Sequence, residues 1–185
     1  MNMSCYITSG VALGCSDGIG GIKQIYVLGT TGATAAVTGV TYSGSSVSEP
    51  ITGLTGNGTW YSFELKRNTS SLAQNTTKNF ENGTIYWEQV LTAILFKYDQ
   101  AKRDILLEMG LNDKMKVIAI DQNDTQYYLG QVNGMYLSGG SAATGTAFGD
   151  RNGFEIILTG QEAKPASVVS GDLTTIFTAG GFSVA

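Results

Sequence analysis

The chain lacks the side chains on which most enzymes and metal sites depend. Among its 185 residues there is no histidine, and there are only two cysteines and two prolines. Histidine is the commonest general base near neutral pH and the commonest protein ligand of metals. Its absence argues against an enzyme and against a bound metal or cofactor, and it favours a protein that acts through shape and assembly.

The two cysteines, Cys5 and Cys15, do not change this conclusion. Neither has a histidine to activate it as a nucleophile, and no third or fourth ligand completes a zinc site. We expect two reduced structural thiols, with a disulfide between them as the alternative.

Charged residues are scarce as well, at 14% of the chain against roughly 25% in an average soluble domain. The net charge is −4 at pH 7. Proteins that bind nucleic acid without sequence preference need clustered lysine and arginine facing the phosphates, which this acidic chain does not offer. Threonine, serine, glycine and asparagine fill the polar positions instead, and this composition suits a surface that packs against other subunits.

Long apolar runs are also missing, because none approaches the roughly 18 residues of a membrane-spanning helix. The first residues show neither a basic flank nor a continuous apolar segment, so no export signal is recognised. We therefore expect a soluble protein that is made in a cytoplasm and has no membrane partner.

What the chain has in abundance is glycine and a strand-like alternation of side chains. It contains 25 glycines, and its 42% apolar residues are enough for one domain with a sizeable core. The alternation predicts strands over residues 22–28, 33–42, 51–58, 59–66, 84–96, 115–120, 125–132, 135–137 and 154–159. Residues 68–80 are interpreted as an edge strand or a loop, and residues 138–149 as a loop of small residues.

Residues 84–96 form the strongest predicted strand, because both of its faces are largely apolar. A strand with two apolar faces is covered on both sides. After it the apolar period changes from two to about 3.6, with Asp99 as the predicted N-cap and Gly110 as the residue that ends the helix. This is the one helix that the sequence predicts.

Together these elements predict a mainly β fold, a β-sandwich or partly open barrel over residues 22–165 with one short flanking α-helix. Residues 1–21 and 166–185 lack a sustained pattern and are predicted as extended N- and C-terminal arms. The edge strands of such a fold carry unpaired backbone groups, which polymerising proteins use to recruit the next subunit by strand addition.

Asp121, Asn123 and Asp124 resemble the start of a calcium-binding loop. The glycine and the distal glutamate that such a loop requires are missing from the following residues. A hairpin turn between two strands is therefore the favoured interpretation, and no metal site is predicted.

Three stretches of the sequence carry a likeness to a known family. The first is the opening, in which Cys5, Cys15 and Asp17 are followed by GGIKQIY at residues 20–26. The second is ENGT at residues 81–84 with the long strand and helix after it. The third is GTAFGDRNGF at residues 145–154, continued by TGQE at 159–162 and PA at 165–166. Over most of residues 1–166 the chain resembles bacteriophage virion proteins of the tail-tube type.

This resemblance implies a structural protein of the virion rather than an enzyme. Its copies would form rings whose inner strands make a continuous barrel around a DNA channel, with DNA passing through without specific binding. Loops and arms would contact neighbouring rings and other tail or head–tail connector proteins. The implied location is the virion tail, after synthesis in the cytoplasm of the bacterial host. Residues 171–185 fall outside the resemblance and leave open whether the ring is a repeated tube ring or a collar.

Two regions are predicted to contact neighbouring subunits or the lumen. The long strand has too much apolar surface for one side, and the small residues near residue 149 permit close backbone approach. The candidates are Trp87, Leu91, Gly145, Thr146, Phe148, Gly149, Asp150, Arg151 and Asn152. The alternative function is a monomeric β-sandwich binding module of the carbohydrate-binding or adhesin type, in which exposed aromatic side chains recognise a glycan.

Overall fold

The computed structural model describes residues 10–12, 18–29, 36–44 and 49–185. Over these residues the chain is mainly β, as predicted. In chain order its elements are β1 (Ile22–Gly29), β2 (Ala36–Tyr42), β3 (Ile51–Asn57), β4 (Thr59–Glu64), β5 (Ser71–Asn79), β6 (Thr84–Phe96), α1 (Gln100–Leu111), β7 (Val117–Asp121), β8 (Gln126–Leu129), β9 (Tyr136–Ala143), β10 (Gly153–Glu162), β11 (Ser167–Val169), α2 (Leu173–Ala179) and β12 (Ser183–Val184).

The strands form two sheets. The larger has eight strands in the order β12-β4-β1-β7-β8-β11-β3-β2 and curls into a half barrel. The smaller has four strands in the order β5-β6-β10-β9, and each neighbouring pair in it is antiparallel. This arrangement agrees with the predicted β-sandwich or partly open barrel.

Two apolar cores hold the layers together. The first lies between the sheets and joins Ile25 of β1 to Leu91 of β6 and Ile156 of β10, with Met109 of α1 at its side. The second lies on the other face of the eight-stranded sheet and is closed by α2. Burial of apolar side chains is the main favourable term in folding. The first core therefore holds the four-stranded sheet against the eight-stranded one, and the second holds α2 against the eight-stranded sheet.

The long strand and the helix after it match the sequence prediction closely. Strand β6 spans the predicted residues, and the Asp99 side chain caps α1 by accepting a hydrogen bond from the Lys102 backbone N–H at 2.9 Å. The predicted end at Gly110 is wrong, because α1 continues to Leu111 and is capped by Asn112. Gly110 has no positive φ, so the left-handed ending that favours glycine is not used here.

The expectation that β6 is covered on both sides holds for only one face. Leu91, Ala93 and Leu95 are buried in the first core. On the opposite face Ile94 and Phe96 are only half-buried. One apolar face of the sheet is therefore partly open in the single chain.

The predicted C-terminal arm, residues 166–185, is instead part of the folded body. Leu173, Ile176 and Phe177 face the second core from α2, and the Phe177 ring stacks on Trp60 with the centroids 4.8 Å apart. β11 pairs with β8 and β3, and β12 pairs with β4. These apolar residues are too few for a sequence pattern, but their i, i+3, i+4 spacing places them on one helix face.

Several predictions fall partly or wholly outside the described residues. Cys5, Cys15 and Asp17 are among them, and so is most of the predicted N-terminal arm. The predicted hairpin at residues 121–124 is confirmed, since β7 and β8 pair across it. The Asp121 carboxylate accepts hydrogen bonds from the backbone N–H groups of Asn123 and Thr125, both at 2.8 Å.

Candidate functional site

The four-stranded sheet ends in two open edges. β5, nine residues long, forms one edge, and β9, eight residues long, forms the other. An edge strand presents a row of unpaired backbone N–H and C=O groups, and soluble proteins usually protect it with charges or proline. Neither strand contains proline, and the only charged residue in the two is Lys78.

Most of β9 was missed by sequence reasoning, which predicted a loop for residues 138–149. Its small side chains lack the alternation by which strands are recognised. The structure explains why they are small at Gly140, where a β-carbon would lie 2.5 Å from the carbonyl oxygen of Glu155 in β10. The strand is also bulged next to Ile157 and Leu158, which breaks the pattern further.

The open face of the sheet carries a mixed apolar and polar surface. Side chains that lie directly opposite one another share a face, so Val90 and Ile94 lie on the same face as Glu155 and Ile157. Tyr86 lies on the same face of β6 and is 36% exposed. This face therefore offers apolar side chains to a partner or to a channel.

Charges on this face are balanced rather than clustered. Arg151 donates to the Glu155 carboxylate at 2.9 Å, and the Lys66 ammonium lies 5.0 Å from the centroid of the Phe96 ring. Glu88 lies opposite Asn75 and Gln161 on the neighbouring strands. The described part of this face therefore offers no run of lysine and arginine to grip phosphates.

The loop after β9 is held in shape by Asp150. Its carboxylate accepts hydrogen bonds from the backbone N–H groups of Ala147 and Thr146, both at 2.8 Å, and these bonds hold the pKa of that carboxyl below its usual range. Gly145 has φ +73°, a left-handed conformation that favours glycine. The loop thereby presents the Phe148 side chain fully to solvent.

Asn152 ties this loop to the junction between β6 and α1. Its side-chain oxygen accepts from the Tyr98 backbone N–H at 3.0 Å, and its carbonyl accepts from the Lys97 N–H at 2.8 Å. Lys97 has φ +68°, so the chain turns sharply at this point. The loop containing Phe148 is therefore anchored at its C-terminal end.

The other predicted contact residues fall into two groups. Thr146 and Gly149 are exposed in the same loop, and Arg151 is partly exposed at its end. Trp87 is half-buried on the core-facing side of β6, whereas Leu91 is fully buried in the first core. Leu91 is therefore not available to a neighbouring copy in this fold, and the strand presents Val90 and Ile94 instead.

A second polar cluster clamps the connection between β8 and β9. The Lys116 ammonium donates to the carbonyl oxygens of Gly130, Gln131 and Val132 at 2.7, 3.3 and 3.1 Å. The buried Glu162 carboxylate accepts from the backbone N–H groups of Val132 and Asn133 at 2.9 and 2.8 Å. Burial lowers the pKa of Lys116. The three hydrogen bonds to carbonyl oxygens give this lysine a structural role in the connection.

No group of three or more potential metal-ligating side chains occurs in the part of the chain that the structure describes. Neither helix among those residues is long and apolar enough to cross a membrane. No protein-family model, curated protein sequence or solved structure matches the chain. The comparisons therefore assign it to no family.

Proposed function

We propose that this protein is a structural subunit that forms closed rings through the two open edges of its four-stranded sheet. The observation that carries the proposal is the pair of edges β5 and β9, which are similar in length and nearly free of charge. Strand addition at such edges satisfies the backbone groups of both partners. Closure into a ring then removes both free edges of this sheet.

The strand directions support closure. Because β5-β6, β6-β10 and β10-β9 are all antiparallel, β5 and β9 run in opposite directions. When β9 of one copy lies beside β5 of a copy related by rotation, the alternation continues across the junction. Any number of copies then gives an antiparallel barrel, with the number set by the curvature of the sheet.

We assign the ring to the tail of a bacteriophage virion, as a tube ring or as a collar between head and tail. This assignment rests on the sequence resemblance, with which the mainly β fold and the helix α1 agree. In this proposal the open face of the four-stranded sheet lines the channel. DNA passes along it without specific binding, because its charges are balanced by pairs such as Arg151 with Glu155. The partners are further copies and other tail or connector proteins.

One observation favours the alternative, a monomeric module that binds a glycan. Tyr86 is 36% exposed and Tyr136 is 39% exposed, and the strand pairing places Tyr136 on the same face as Val90. Exposed aromatic rings of this kind stack on sugars. If the protein forms a ring as proposed, these two tyrosine side chains face the channel instead.

A pair of proline substitutions in β9 tests the ring. In an antiparallel edge strand, successive residues direct their N–H groups alternately to the inner neighbour and to the open edge. Of Ser141→Pro and Ala142→Pro, therefore, one removes an N–H that points to the open edge, and the other removes an N–H that points to β10 and breaks the β9–β10 ladder. We expect the wild type to form rings of one mass by native mass spectrometry and electron microscopy. The outward variant should keep the melting temperature of the wild-type subunit and lose the rings.

The adjacent variant serves as the matched control, because it carries the same substitution and should lower the melting temperature. Rings of wild-type mass from both folded variants would contradict assembly through β9. A wild-type protein that remains monomeric at high concentration and binds an immobilised glycan would favour the alternative module.

A further inference from the structure

The hairpin formed by β5 and β6 extends beyond the body of the protein. Every residue from Asn75 to Tyr86 is exposed. The last pair between β6 and its other neighbour, β10, joins Trp87 to Glu162, so two strands continue alone past that point. A two-stranded hairpin with both faces in water is only marginally stable. The projecting part therefore has the features of a segment that docks on a partner.

The tip of this hairpin combines an apolar ring with a cation. Phe80 is 84% exposed, and the Lys78 ammonium lies 4.9 Å from the centroid of its ring. The turn is held by the Asn79 side chain, which accepts hydrogen bonds from the backbone N–H groups of Glu81 and Asn82 at 2.9 and 3.2 Å. The ring and the ammonium are thus presented together on an ordered turn.

A groove of complementary character lies between α1 and strands β1 and β4. Its cavity volume is about 780 Å³, within the roughly 300–1,000 Å³ of typical ligand pockets. The apolar wall is formed by Val27, Tyr61, Phe63, Ile105, Met109 and Leu111. The groove is also lined by two carboxylates, Glu108 and Asp113, and by one ammonium, Lys114.

The chain's own hairpin is far from this groove. A β-carbon at Gly110 would lie 3.8 Å from the Leu137 side chain, so α1 passes close to Leu137. Leu137 lies opposite Leu158, which lies opposite Leu91. From Leu91 to Thr84, where the turn begins, β6 runs about 23 Å at the usual rise per residue. The tip therefore projects away from the groove of its own chain.

We propose that the hairpin tip of one copy docks into the α1 groove of a second copy, with Phe80 on the apolar wall and Lys78 beside Glu108 and Asp113. The acidic groove residues outnumber Lys114, and the Glu81 carboxylate of the tip complements that lysine. Because the two surfaces differ and lie at different levels along β6, the contact is head to tail. Because a head-to-tail contact of this kind does not close on itself, it can repeat from ring to ring. It therefore stacks one ring on the next. This inference rests on the proposed ring.

Charge exchange across the contact tests the docking. We compare the full-length wild type with Phe80→Ser, Lys78→Glu, Glu108→Lys and the double variant Lys78→Glu with Glu108→Lys. Both single charge variants should raise the concentration for half-maximal stacking about tenfold, and Phe80→Ser should do so by at least as much. The double variant should restore stacking. Glu108→Lys places a cation near the C-terminus of α1, which favours the helix.

Ring mass and stack length are measured separately, by native mass spectrometry and electron microscopy. Arg67→Glu is the matched control, since it makes the same charge change at an exposed site outside the tip and the groove. It should leave both readouts unchanged. Rings that stack normally in Phe80→Ser and Lys78→Glu would overturn the docking while leaving the ring intact. A wild type without rings would overturn the proposed function itself.

A crosslink identifies the occupant of the groove. In a background in which Cys5 and Cys15 are replaced by serine, an equimolar mixture of the single variants Phe80→Cys and Leu111→Cys should form a disulfide between two chains on oxidation. A covalent dimer on a non-reducing gel is the expected product. Failure to crosslink in samples that contain stacked rings would show that another segment occupies the groove, and would contradict the inference.

Discussion

Lys116 shows how a single side chain holds the connection between β8 and β9. Its position in the sequence marks it only as one polar residue at the start of a strand. In the folded chain its ammonium satisfies three carbonyl oxygens, and Glu162 satisfies two N–H groups of the same segment. Gly130 and Gly134 in this segment both have positive φ, a backbone conformation that favours glycine.

Replacing Lys116 by methionine should therefore destabilise the protein. The substitution keeps the length of the side chain but leaves three carbonyls without their donor. We expect a loss of about 1–3 kcal/mol in the free energy of unfolding, measured by urea denaturation. Lys114→Met is the matched control, because Lys114 is exposed, and it should change the free energy by less than about 0.5 kcal/mol. Equal effects of the two substitutions would contradict this structural role of Lys116.

Two aspartates show which residue roles can be predicted from the sequence. Asp99 precedes a run with helical period, and its capping role was predicted. Asp172 plays the same role at α2, where its carboxylate accepts from the Thr175 N–H at 2.8 Å, yet it was not recognised. The difference is the length of the pattern that follows, because α2 has seven residues and α1 has twelve.

At the scale of elements, strands with regular alternation were predicted and those of small residues were not. Both ends of β6 agree with the prediction. Residues 68–80, interpreted as an edge strand or a loop, contain the edge strand β5. Most of β9 was missed because its residues are small, and at Gly140 the small size is required by the close approach of β10. That requirement belongs to the partner strand and leaves no local signal.

The helix α2 is the element whose role most differs from expectation. Truncating Phe177 to alanine should cost about 3–5 kcal/mol, because its ring is fully buried against Trp60 in the second core. The free energy of unfolding and the melting temperature measure this loss. Should Phe177→Ala fail to fold, Phe177→Leu gives a smaller loss of the same sign.

Thr174→Ala is the control for this prediction, since Thr174 is exposed in the same short helix. It should change the free energy of unfolding by less than about 0.5 kcal/mol. An unchanged stability in Phe177→Leu would show that residues 166–185 form an arm independent of the core, as the sequence predicts.

At the scale of the whole molecule, the two cores leave one sheet with free edges and an open face. The first core covers one side of the four-stranded sheet, and the eight-stranded sheet uses its other face for α2. The remaining face carries Val90, Ile94 and Ile157 together with paired charges. This asymmetry is what the proposed ring uses, with the edges for assembly and the open face toward the channel.

The charge of the whole molecule leads to a prediction about DNA. Each copy carries a net charge of −4 at pH 7, so rings of the proposed kind would repel the phosphate backbone. We expect no retardation of double-stranded DNA by micromolar protein in a gel shift at physiological salt. A shift that weakens steeply with added salt would reveal a basic surface and contradict a non-binding channel.

The amino-acid sequence by itself determined the fold class, the position of β6 and α1, and the poor supply of catalytic and metal-binding side chains. These follow from composition and from periodicity, which are local properties of the chain. The tertiary structure alone decided that the C-terminal segment completes a second core, that Leu91 faces inward and that β5 and β9 are the edge strands of their sheet. Those outcomes depend on which distant strands meet, and the pairing of distant strands is a property of the folded whole.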